Sequence, residues 1–176
     1  GSRERGVAMP PLKGPGRGRL PNLENLAKKS PAQLEATLAR FGLEPDVRAF
    51  ERRARRVYEQ RLEAVIEEKG APDKNTWAAI DADLERAMVA TLREQTKAAI
   101  HAYRKQRLKG VAKYFVWVAV NGGEDSCPSC DNRHGQRNTM RAWEILGEPG
   151  SAILICKREC RCNLLPDFIA DPGDEG

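Results

Sequence analysis

Apolar residues recur at three- and four-residue steps through the first two thirds of the chain. They then change to a dense aromatic and β-branched run, and end in short blocks broken by glycine, proline and cysteine. The first periodic stretch opens at Ser30-Pro31-Ala32-Gln33. Ser30 is placed to cap, Pro31 suits the first helical position, and Gln33 completes a capping box. Leu34, Leu38 and Phe41 share one face, and Gly42 stops the helix. Pro45-Asp46 opens a second, longer helix that ends at Lys69-Gly70. Its apolar stripe is Val47, Phe50, Ala54, Val57, Tyr58, Leu62, Val65 and Ile66. A third helix is predicted from about Thr76 to Lys109, with Trp77, Ile80, Leu84, Met88, Leu92, Ala99, Ile100 and Tyr103 as its core face. Helices of this length cannot bury themselves alone, so antiparallel packing of the second and third is expected, with oligomerisation through them as a further route.

Tyr114 to Val120 is short, aromatic and β-branched, and predicts a buried strand. Asn121-Gly122-Gly123 turns the chain. Thr139 is placed to cap a short helix over Met140, Trp143 and Leu146, which Gly147-Glu148-Pro149-Gly150 ends. Ala152–Ile155 and Arg161–Leu165 are further strand candidates. Residues 3 to about 29 carry scattered Pro and Gly, with little to bury, and predict an extended or disordered basic arm. The acidic end from Asp167 is expected to fray. The boundaries that follow are a flexible basic arm at 1–29, a helical region at 30–110, a small module at 111–168 and an acidic tail at 169–176. The fold class is α+β: N-terminal antiparallel long helices, then a small α+β module with a Cys-rich structural zinc site.

The charge balance is mildly basic. The net charge of +5 and pI near 9.1 permit nucleic-acid contact without requiring it. The second helix carries Arg48, Arg52, Arg53, Arg55, Arg56 and Arg61 opposite its apolar stripe, partly balanced by Glu51, Glu59, Glu63 and Glu67. Arg52, Arg53, Arg55 and Arg56, with Arg133, Arg137 and Arg161 farther on, are the candidate contacts to double-stranded DNA; a solvated face is the plainer alternative. No apolar run approaches a membrane span, so no membrane partner is expected.

The cysteines carry the strongest chemical signal. All five cysteines lie in one stretch: Cys127 and Cys130 in a Cys-x-x-Cys knuckle, then Cys156, Cys160 and Cys162. A knuckle followed some 26–30 residues later by more cysteines has zinc-ligand spacing. Two thiolates from one turn form one edge of a tetrahedron, and a second segment must supply the opposite edge. Disulfides are disfavoured by the odd count and the lack of a visible signal peptide. Thioredoxin-like redox chemistry would leave the later cysteines without a role. Cys127, Cys130 and Cys160 are the strongest ligands, and the fourth is Cys156 or Cys162. His134 is a weaker candidate, since a lone loop histidine is more often a hydrogen-bonding residue. A closed set of thiolates predicts a structural rather than a catalytic ion.

No catalytic constellation survives inspection, so no enzymatic activity is expected. There is no phosphate-binding Walker loop and no dinucleotide glycine fingerprint. Glu124 and Asp125 precede the knuckle, yet the His-x-Glu signature of zinc deaminases is missing. An HNH-type nuclease needs further histidines near His134.

The order of these features resembles the C-terminal half of the phage Mu F-like minor head protein family, also called phage head morphogenesis proteins. The resemblance covers about residues 111–168. It rests on the aromatic strand with Trp117, on Asp125-Ser126-Cys127-Pro128-Ser129-Cys130, on His134-Gly135 and the spacer helix around Trp143, and on Cys160-Arg161-Cys162-Asn163-Leu164-Leu165-Pro166. The chain departs from the family's His-Pro-x-Cys-Arg-Cys run. Lys157 and Arg158 stand in place of His and Pro, and Cys156 adjoins them as a replacement for the missing imidazole. The resemblance implies a minor capsid protein that associates with the portal protein and with capsid or scaffold components. It would reside in the virion head near the portal, after assembly in the host cytoplasm. A cellular zinc-knuckle protein that binds nucleic acid is the alternative, and a nuclease or ADP-ribosyltransferase-like enzyme a more distant one.

Overall fold

The structure is a computed structural model, and it describes residues 12–16, 19–119 and 127–168. The turn at Asn121–Gly123, the Glu124 and Asp125 carboxylates, the first eleven residues of the expected arm and the acidic tail at 169–176 lie outside the described residues. The chain is mostly helical, with one small antiparallel sheet. Helix α1 spans Pro31–Arg40, α2 Val47–Lys69 and α3 Lys74–Leu108; strand β1 spans Tyr114–Val118. There follow α4 (Pro128–Asp131), β2 (Arg137–Thr139), α5 (Met140–Leu146) and β3 (Asn163–Asp167).

The helix starts follow their chemistry. Ser30 Oγ accepts from the Gln33 N–H at 3.3 Å, and the Gln33 side chain accepts from the Ser30 N–H at 3.0 Å, closing the capping box. The Asp46 carboxylate caps α2 by accepting from the Ala49 N–H at 2.9 Å. The Gly70 N–H, at φ +75°, closes α2 onto the Ile66 carbonyl.

The chain divides into two compact units, one of residues 13–96, the other of residues 97–176 with the segment up to Leu12. In the first unit Leu23, Leu26, Leu34, Leu38, Phe41, Ile80 and Leu92 are buried. Leu23 and Leu26 correct the expectation that residues before 30 have little to bury: they sit on a 3-10 turn, Leu23–Lys28. The Arg40 guanidinium fixes the adjacent segment by donating to the carbonyls of Pro15 and Arg19 at 3.0 and 3.2 Å. The apolar stripe of α2 is only half covered. No residue of α2 is fully buried, and Val47, Tyr58 and Ile66 are exposed. Trp77 and Met88 of α3, expected in the core, are also exposed. Polar pairs join the two helices: Arg53 to Glu94 at 2.5 Å and to Thr91 at 3.2 Å, and Arg61 to Asp83 at 2.6 Å.

In the second unit β1 is the central strand, in the order β2-β1-β3. Tyr114 opposes Thr139 and Val116 opposes Arg137 on one side. On the other, Trp117 opposes Leu164 and Val118 opposes Asn163. Phe115 and Trp117 point into the core by strand alternation. There they meet Trp143, Leu154 and Leu164 together with Cys130, Cys160 and Cys162. The Trp117 and Trp143 rings lie 5.3 Å apart, and Trp143 Nε1 donates to the Phe115 carbonyl at 3.0 Å. The expected strand at Ala152–Ile155 is instead a run of turns with only Leu154 buried. Four successive apolar residues carry no period, and here one anchors the loop while Ile153 and Ile155 face solvent.

Candidate metal centre

The knuckle is a one-turn helix. Cys127 precedes α4, Pro128 takes its first position, and the N–H groups of Cys130 and Asp131 donate to the Cys127 carbonyl at 2.9 and 3.0 Å. This turn carries both sulfurs to one side, 3.4 Å apart. The second loop comes from Leu154 onward. The Lys157 N–H donates to the Leu154 carbonyl at 3.2 Å, and Lys157 takes φ +46°, in the left-handed region unusual for a residue with a Cβ. The Glu159 N–H closes on the Cys156 carbonyl at 2.9 Å, and β3 begins just beyond Cys162. The loop thus delivers Cys156, Cys160 and Cys162 to the knuckle.

The other four sulfurs gather around that of Cys130. Its Sγ lies 3.4 Å from Cys127, 3.5 Å from Cys156 and 3.7 Å from Cys160. Cys130 belongs to two triads, Cys127–Cys130–Cys156 and Cys130–Cys160–Cys162, each with its sulfurs within 4.8 Å of one another. A tetrahedral ion with metal–sulfur bonds of about 2.3 Å has sulfur–sulfur edges of about 3.8 Å, close to these separations. A disulfide would need about 2.05 Å, and all five cysteines are free thiols. The donor set and spacing therefore fit a metal ion.

The thiols differ in how readily they ionise. Burial pushes Cys127 up, but the Ser129 hydroxyl, the Cys130 N–H and the neighbouring thiols outweigh it and bring it down to about 6. Burial raises Cys130 and Cys156, and their neighbouring thiols add to the rise at Cys130. Cys160 is lowered, first by the Cys162 thiol, then by backbone N–H groups of Cys162 and Gly150. A cation would take its ligands as thiolates, so binding at Cys130 or Cys156 would release a proton there.

Sequence reasoning missed several supporting residues. Ser129 Oγ accepts from the Ile155 N–H at 3.1 Å and lies 3.2 Å from Cys127 Sγ, so one hydroxyl ties the two cysteine loops together. Lys97, buried on α3, pairs with Glu159 in the second loop. Gly150, at φ +83°, lets the His101 ring approach so closely that a Cβ there would fall 2.5 Å from it. The dipeptide Ser129-Cys130 does signal a hydroxyl beside a thiol; the other contacts depend on tertiary approach and leave no local pattern.

The remaining candidate site residues fall in several places. His134 is exposed, and its Nδ1 accepts from the Ala119 N–H at 3.1 Å, so it supports β1 and lies outside both sulfur triads. Arg52, Arg55 and Arg56 are exposed on α2, whereas Arg53 is held by Glu94 and Thr91. Arg133 packs 5.3 Å over Trp117 and donates to the Leu146 and Gly147 carbonyls, capping the C-terminus of α5. Arg137 stacks 3.9 Å over Tyr114 and pairs with Asp167 at 2.7 Å. Arg161 is exposed between Cys160 and Cys162. Compared with known proteins, the chain matches no family model, no curated protein and no solved structure.

Proposed function

We propose that this chain is a non-enzymatic assembly protein of a phage head, with its second unit closed by a structural zinc ion and docking at the portal vertex. The observation that carries the reading is the meeting of the two cysteine runs around Cys130. These runs are the two halves of the motif on which the resemblance to Mu F-like minor head proteins rests, and they converge in one mostly buried site. Two thiol triads share Cys130, and together they offer enough donors to fill a tetrahedral shell and leave no opening for a reacting water, which favours a structural role. Thiolate ligands favour zinc over the hard cations magnesium and calcium. The ion would brace two loops that share little regular structure, giving a rigid surface for docking. We also read α2 and α3 as an antiparallel pair. The reading is supported by contacts that descend one helix as they climb the other, Asp46 with Gln95, Arg53 with Thr91 and Arg61 with Asp83.

Elemental analysis of the reduced, purified protein is expected to return one zinc per chain, lost in Cys130→Ser. The protein should co-elute with the portal protein encoded in the same genome. A metal-free protein with all five thiols reduced would remove the brace, and a portal protein that ignores the zinc-loaded chain would remove the docking role.

A further inference from the structure

Side-chain geometry sorts the arginines into those with internal partners and those without. Arg53, Arg61, Arg133 and Arg137 each hold a carboxylate, a carbonyl or an aromatic ring. Arg48, Arg52, Arg55 and Arg56 are exposed on α2. None of these four makes an ion pair among the described residues, although Glu51 and Glu59 stand within helical reach. Together with those two glutamates they line one shallow concavity on the helix surface.

The spacing sets the scale of the occupant. From Arg48 to Arg56 the helix rises about 12 Å. A duplex strand presents one phosphate per about 3.4 Å of axis, so three to four phosphates fall within that length, about one per guanidinium. Guanidinium forks match phosphate oxygens in geometry. An acidic protein surface would offer the same charge. Protein interfaces, however, centre on an apolar or aromatic anchor, and every residue lining this concavity is charged.

We infer that this face of α2 binds the phosphate backbone of double-stranded nucleic acid without reading its sequence. The inference depends neither on an ion at the cysteines nor on the head-assembly reading. It is tested with the full chain and short fluorescent duplexes of two unrelated sequences, followed by anisotropy across a salt series. Both duplexes should bind equally. The variant R48Q/R52Q/R55Q/R56Q should bind at least tenfold more weakly at physiological salt, and its slope of log affinity against log salt should be shallower by about 3. Glutamine has nearly the helix propensity of arginine, so α2 should persist, as far-ultraviolet circular dichroism would verify. The single variants Arg52→Gln and Arg56→Gln should each reduce the slope by about 1. Removing charge elsewhere, in K28Q/K29Q, should leave it unchanged. An unaltered slope in the quadruple variant, or polyglutamate bound as tightly as duplex by the wild type, would overturn the inference.

Discussion

Individual residues at the sulfur cluster were only partly legible. The spacing of Cys127, Cys130, Cys156, Cys160 and Cys162 predicted two segments meeting, and they meet. What spacing could not convey is that Cys130 sits at the shared corner of two triads, because that depends on how the loop from Leu154 folds back. The same geometry separates the thiols chemically. Cys127 is partly exposed and held at about 6, so in the metal-free, reduced protein it is mostly thiolate at neutral pH. Iodoacetamide labelling followed by peptide mass spectrometry should find Cys127 modified first, with its rate falling as pH drops below about 6. Cys130 and Cys156, both raised, should lag at pH 7. The sign for stability follows. The lowered thiol favours the folded state above its unfolded value near 8.5, and that contribution is lost as pH falls through about 6. Uniform labelling of all five cysteines would contradict this ordering.

At the scale of elements, strong local signals in the sequence match the structure and weak ones do not. The capping box at Ser30 and the left-handed glycine at Gly70 mark helix ends in the sequence because the chemistry is local. Strand β2 was invisible: Arg137-Asn138-Thr139 has no apolar alternation, and it pairs with β1 through backbone bonds that any sequence can make. Ala152–Ile155 misled for the opposite reason, since its apolar run is one buried anchor between exposed neighbours. The short helix α5 was predicted from Thr139 and Trp143, and Trp143 explains its placement. The indole is fully buried, packs at a tilt against Trp117 and donates to the Phe115 carbonyl. Trp143→Ala should therefore cost about 3–5 kcal/mol in denaturant unfolding of the second unit. A loss below about 1 kcal/mol would mean that α5 is not a packing element.

For the whole molecule, the helical first unit and the cysteine-bearing second unit have different sources of stability. The first buries leucines, Phe41 and Ile80. The second has a three-stranded sheet, two tryptophans and thiols in its core. The knuckle lies between β1 and β2 and the second cysteine loop leads into β3, so a bound ion's affinity would enter its folding energy directly. Chelation is thus expected to raise amide hydrogen exchange across residues 127–166 while α1 and α2 keep their protection, and Cys127→Ser should act in the same direction. Equal deprotection of both units, or of neither after verified metal removal, would contradict this division. The half-covered stripe of α2 shows the limit of the sequence pattern here. Periodicity identifies a helix face, but how deeply that face is covered depends on what packs against it.

Lys157 carries a consequence for how the site would open and close. Its left-handed backbone is unfavourable for a side chain by roughly 1–2 kcal/mol, and it sits directly after Cys156. The bend is thus kept by its neighbours rather than by its own preference. If the sulfurs on either side let go, that strain would work against the bonds that still hold the loop, the Glu159 N–H on the Cys156 carbonyl, the Ile155 N–H on Ser129 and the Lys97–Glu159 pair.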